Sequence, residues 1–136
     1  MIPAKAIDYK AIVIAIAGTM SLDLLLSVVL TSAFTGPGSP ADLSGQQIEA
    51  LLSNTRFLIW SLILGTLSTV VGGFLAARFA TKVPYFHALI YGIFALIFGV
   101  LTSGGLPLWY NASGFVIVLP AALLGGHIAK RGMPRF

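Results

Sequence analysis

The chain reads as an all-α, four-span membrane bundle, and three observations predict that class. Of its 136 residues, 57% are hydrophobic and only 9% charged, with a mean hydropathy of +0.97. A soluble domain carries about 25% charged residues. Four apolar stretches approach the roughly 20 residues that a helix needs to cross a hydrocarbon core of ~30 Å. The breaks between them hold helix-stopping residues: Gly36-Pro37-Gly38-Ser39-Pro40, Pro84, and Gly104-Gly105-Leu106-Pro107. The length fits a single domain over residues 1–136.

The first span covers about residues 11–34 and holds one charged residue, Asp23, near its middle. Lys5 and Lys10 precede it, as in the n-region of a signal peptide. The apolar run is longer than the 7–15 residues of a typical signal core and contains a carboxylate, so a membrane span is the better assignment. Residues 35–56 form the extramembrane loop. Within it, Ser44 and Gln47 have capping-box spacing, and Ile48, Leu51 and Leu52 share one helical face. A short amphipathic helix from about Gly45 to Ser53 follows, lying on the membrane surface or packed on the end of the bundle. The second span, 57–77, is closed by Arg78, Lys82 and Pro84, and the third covers 85–103. The fourth covers 113–129, with a start as early as Leu108, and Pro120 inside it predicts a kink and a freed carbonyl one turn earlier.

Four spans put both termini on one side. That side carries Lys5, Lys10, Arg78, Lys82, Lys130, Arg131 and Arg135, against Arg56 alone on the other. The positive-inside rule therefore predicts cytoplasmic termini in the cell (inner) membrane. Phe57, Trp60, Trp109 and Tyr110 mark the outer interface, and Tyr9 and Tyr85 the inner one. The basic residues sit at helix ends and do not form a nucleic-acid surface, so the net charge of +4 implies no such partner.

The two halves share short motifs. Val29-Leu30-Thr31-Ser32 matches Val100-Leu101-Thr102-Ser103, and Gly72 to Arg78 matches Gly125 to Arg131 as GG-x-[LI]-A-x-R. Two helical hairpins in parallel orientation are expected, as in some transporters and in any duplicated bundle. Small residues also recur every fourth position. Ser61, Gly65, Thr69, Gly73 and Ala77 form such a stripe on the second span, Ala95, Gly99 and Ser103 on the third, and Ala121, Gly125 and Ala129 on the fourth. Such stripes let helix backbones approach closely in lipid. Gly65, Gly72, Gly73, Gly99, Gly125 and Gly126 are the expected packing glycines. Arg78, Lys82, Lys130 and Arg131 are the expected cytoplasmic anchors.

On the first span the same period runs through Ala11, Ala15, Thr19, Asp23, Ser27 and Thr31, which places Asp23 on a close-packed seam. A charged Asp at a helix centre costs about 2.5–3.5 kcal/mol on insertion scales. It is best tolerated protonated, or bound to a cation or a donor. No basic residue is expected at its depth. Thr19, Ser27, Thr66, Ser68 and Thr69 are the expected hydroxyl neighbours, and with Asp23 they make a candidate proton or ion site. His87 and His127 are expected at the interface, one per half, as snorkelling or capping residues. Asn111-Ala112-Ser113 is a formal sequon held too close to the membrane to be used.

The repeated GG-x-[LI]-A-x-R ends resemble small four-helix bacterial membrane proteins of uncharacterised function. The single acid in the first of four spans also resembles small multidrug resistance transporters. That likeness implies a dimer that couples export to protons through Asp23, although the acid here is Asp and not Glu, and the first loop is longer. No catalytic set, metal cluster, thiol or phosphate-binding loop occurs, so an enzyme, a metal or a cofactor is not expected. The expected function is a non-enzymatic multi-pass protein, a packing or accessory subunit in an oligomer with itself or another membrane protein. The alternative is a small proton- or cation-coupled transporter working through Asp23.

Overall fold

The computed structural model describes residues 8–36, 42–80, 83–102 and 104–132, and every regular element among them is a helix. These are α1 (Tyr9–Thr35), α2 (Gly45–Leu52), α3 (Thr55–Phe79), α4 (Pro84–Leu101) and α5 (Leu108–Arg131). All but α2 are long and apolar enough to cross a membrane. Lys5, residues 37–40 of the first break, Lys82, Ser103 and Arg135, which figured in the sequence expectations, lie outside the described residues.

Local capping sets the boundaries. The Asp8 carboxylate accepts from the Lys10 and Ala11 amides at 3.1 and 3.3 Å, so α1 starts before the apolar run does. Asn54 caps α3 in the same way, which draws Thr55 and Arg56 out of the expected loop and into the helix. The capping box of α2 forms as its spacing predicts: the Gln47 amide donates to Ser44 Oγ, and the Ser44 amide to Gln47 Oε1. Helix α5 starts directly after Pro107 and continues through Pro120, which is exposed on its outer face.

Helix α3 is the centre of the bundle. It packs against α1, α4 and α5 and carries α2 near its start, while α1 touches α4 only lightly. Helix α4 therefore sits in the groove between α3 and α5, whereas α1 rests mainly on α3. The sequence match between the two hairpins is not accompanied by equivalent surroundings.

One end of the bundle holds the starts of α1 and α4 and the ends of α3 and α5; we call it the terminal end. The opposite end carries α2. At the terminal end the Tyr85 hydroxyl bonds His127 Nδ1, and the Lys130 ammonium lies 4.9 Å from the Tyr85 ring centre. At the α2 end, Phe34 and Phe57 meet edge to face at 5.4 Å.

The stripes of small residues act differently in the two halves. In the terminal half they zip the helices together. A methyl group on Gly73 would overlap the backbone carbonyl of Ala122, and one on Gly125 would overlap that of Val70. Gly72 has the Tyr91 ring against it, and Gly126 has Ala88. Ala15, Ala76, Ala77, Ala88, Ala122 and Ala129 complete this core at essentially no exposure. Close backbone approach of this kind replaces the hydrophobic drive that lipid removes. Toward α2 the same stripe of α3 parts from its neighbours. Gly65 is exposed, and a methyl added there would meet nothing within 4 Å, while Gly99 makes only an ordinary contact with Phe115. These two glycines, expected to pack, do not bring helices together. On α5, the large residues Tyr110 and Phe115 stand toward that end, where Ala122 and Gly125 stand in the closed half. The Ser61 and Tyr110 hydroxyls bridge α3 and α5 there at 2.8 Å.

Candidate functional site

Where the helices part they leave a half-open cavity of about 300 Å³ in the α2 half of the bundle. Helix α1 contributes Ile16, Thr19, Met20 and Asp23 to its wall, and α3 contributes Ser61, Gly65, Thr66 and Thr69 among others. Helix α4 adds Tyr91, Phe94, Phe98 and Thr102, and α5 adds Tyr110, Asn111 and Phe115. Its floor, at Ile16, Thr19, Thr69 and Tyr91, is the upper edge of the Gly/Ala core. Its rim, at Ser61, Thr102 and Tyr110, lies near the α2 end. On the side between α1 and α4 the packing is lightest. Phe94 and Phe98 are both part-exposed and stack at 6.4 Å on that side.

Asp23 is thus on a cavity wall and not in a close-packed seam. Ala11, Ala15 and Thr19 are buried as the period predicts, but Asp23 and Ser27 are exposed, and burial returns only at Thr31. The seam fails there because the light contact of α1 with α4 is made lower down, around Asp8 and Ala15. Of the expected hydroxyl neighbours, Thr19, Thr66 and Thr69 share the cavity with Asp23, and Ser27 does not. Ser68 is buried outside the cavity, and its hydroxyl has no hydrogen-bond partner. An unmet buried hydroxyl destabilises, so Ser68→Ala should leave stability unchanged or raise it by about 1 kcal/mol. Unfolding of the purified variant in detergent measures this, and a loss of more than about 1 kcal/mol would mean that Ser68 has a role in packing.

The polar lining is biased toward accepting hydrogen bonds. Thr19 donates to the Ala15 carbonyl at 2.8 Å, Thr66 to the Leu62 carbonyl at 2.7 Å, and Thr69 to the Gly65 carbonyl at 2.9 Å. Each hydroxyl proton is spent on its own helix, which leaves oxygen lone pairs for the cavity. With the Asp23 carboxylate on the same cavity's wall, this lining suits a proton or a cation better than an anion. Tyr91 stands at the floor: its ring is buried against Gly72, and its hydroxyl pairs with the Thr19 side chain.

Tyr91, Ser61, Thr102, Tyr110 and Asn111 were not singled out as site residues by sequence. Tyr91 carried a usable signal, because tyrosine in a span belongs at an interface and this one lies mid-helix. The histidines divide. His127 is exposed against Tyr85, as expected of an interfacial residue, whereas His87 is at 0% exposure and is a core residue. Arg78, Lys130 and Arg131 are exposed in the last turns of α3 and α5. No group of acids and histidines that would hold a metal occurs among the described residues. No family model, curated protein or solved structure matches this chain.

Proposed function

We propose that the protein is a small integral membrane transporter in which Asp23 binds a proton or a monovalent cation inside the cavity. The observation that carries this is the placement of Asp23 on the wall of a 300 Å³ cavity that Thr19, Thr66 and Thr69 also line, each with its hydroxyl proton spent on its own helix. A structural acid in a packed bundle needs one donor and no space. The aromatic rings of Tyr91, Phe94, Phe98 and Phe115 around the same volume favour a cation, whose charge is attracted to ring faces. The basic residues Lys10, Arg78, Lys130 and Arg131 at the terminal end support a cytoplasmic position for that end, so the cavity faces outward in this conformation.

The test is proton release from purified protein in weakly buffered nanodiscs on addition of sodium, potassium or tetramethylammonium chloride. Competition between cation and proton for one carboxylate predicts release with at least one of the three. No release with any of them contradicts the proposal.

A further inference from the structure

The terminal end carries a second polar element that the transport site does not use. His87 is fully buried where α1 and α4 meet, and both of its ring nitrogens are engaged. The Asp8 backbone amide donates to Nε2 at 2.7 Å. Nδ1 lies 3.1 Å from the Val83 carbonyl, which only accepts, so Nδ1 carries the ring proton. Nε2 is therefore a bare acceptor, and the imidazole is neutral in this arrangement. Val83, the residue held from the other side, is β-branched and adopts φ +45°, a backbone conformation that such residues rarely take.

This pair sits where it matters for the cavity. The α1–α4 contact is light. Its anchors are Asp8 on His87 and, two turns further in, Ala15 against Tyr91, the residue at the cavity floor. The Asp8 carboxylate is already committed to the first amides of α1. Among the described residues, the start of α1 is thus fastened to α4 by one backbone hydrogen bond, whose acceptor is an imidazole nitrogen.

We propose that His87 is a proton-operated latch: neutral, it holds α1 on α4 and closes the cavity toward the terminal end; protonated, it releases α1. A proton on Nε2 places N–H against N–H, so the Asp8 amide must leave. The one anion at this contact among the described residues, the Asp8 carboxylate, satisfies the new donor only by uncapping α1. Both routes move the helix start. The other titratable or charged groups at this end among the described residues are Tyr9 and Lys10 on α1, Arg78 on α3, Tyr85 on α4, and His127, Lys130 and Arg131 on α5, none of which bridges α1 to α4 by a hydrogen bond; further in, at the cavity floor, Tyr91 of α4 pairs with the Thr19 hydroxyl of α1. Gating of the cavity by this latch rests on the transport function proposed above; the latch itself does not, and its test does not measure transport.

The chain has no cysteine, so spin labels can be placed at will. Labels at Lys10→Cys and Arg131→Cys, both exposed positions, report the separation of α1 from α5 in nanodiscs. Distances are read by pulsed electron paramagnetic resonance at pH 8 and pH 5. A longer or broader distribution at pH 5 is expected, and it should disappear in His87→Gln, whose amide oxygen accepts without titrating. An unchanged distribution in the protein that retains His87 overturns the latch, as does an equal change in His87→Gln. The first of these outcomes needs no folded variant.

Discussion

Gly73→Ala and Gly125→Ala should each destabilise the bundle by about 1–3 kcal/mol, the usual cost of forcing atoms into a packed core. The added methyl meets backbone, not a side chain that can turn aside: the Ala122 carbonyl in one case and the Val70 carbonyl in the other. Relief requires α3 and α5 to move apart along the whole terminal half. Helix propensity works against this loss by up to about 1 kcal/mol in favour of alanine, so the net sign reports the clash. Gly65→Ala is the control. It lies on the same stripe of α3 with open space beside it, and it should be neutral or stabilising. Because both clashes open one interface, the double variant should lose less than the sum of the single losses. Denaturant titration of purified protein in detergent measures all four. Equal behaviour of Gly73→Ala and Gly65→Ala would show that the stripe does not divide into a zipped and an open half.

Asp23→Asn has the largest expected effect on function. Asparagine keeps the size of the side chain and its capacity to hydrogen bond, but it cannot hold a proton or neutralise a cation. Cation-linked proton release should fall to the level of empty nanodiscs. Stability should hold or rise, since a charge at mid-helix costs about 2.5–3.5 kcal/mol on insertion scales and the amide carries none. An accessory packing role, the other expectation from the sequence, predicts a silent substitution with no release in either protein. Release that persists in Asp23→Asn would place the titrating group elsewhere.

The helices themselves were legible because length, apolarity and caps are local properties. Asp8, Ser44 and Asn54 each cap the helix that follows them, and the boundaries of those helices moved by no more than about a turn. The close packing of Gly72, Gly73, Gly125 and Gly126 was also legible, since small residues at a spacing of four have one main use in lipid. What could not be read was where each stripe finds a partner. Gly65 and Gly73 look alike in sequence, yet Gly73 meets the Ala122 backbone of α5 while Gly65 borders the cavity. Asp23 left the seam for the same reason: its own period was correct, but the contact that would have covered it stops at Tyr91. The depth of His87, in the first turn of α4, was as read, but its burial was not, because the docking of the Asp8 amide on its Nε2 depends on tertiary structure alone.

The most direct measurement is the reactivity of Gly65→Cys, a thiol placed in the cavity where the added side chain meets nothing. Leu24→Cys, beside Asp23 in sequence and 71% exposed on the outer surface of α1, serves as the lipid-facing control. If Asp23 governs a solvent-reached cavity, charged methanethiosulfonates should modify Gly65→Cys well above the control. The cationic reagent should react roughly tenfold faster than the anionic one, a preference that Asp23→Asn removes. Labelling of Gly65→Cys no faster than Leu24→Cys, or a charge preference that Asp23→Asn leaves intact, would contradict the account.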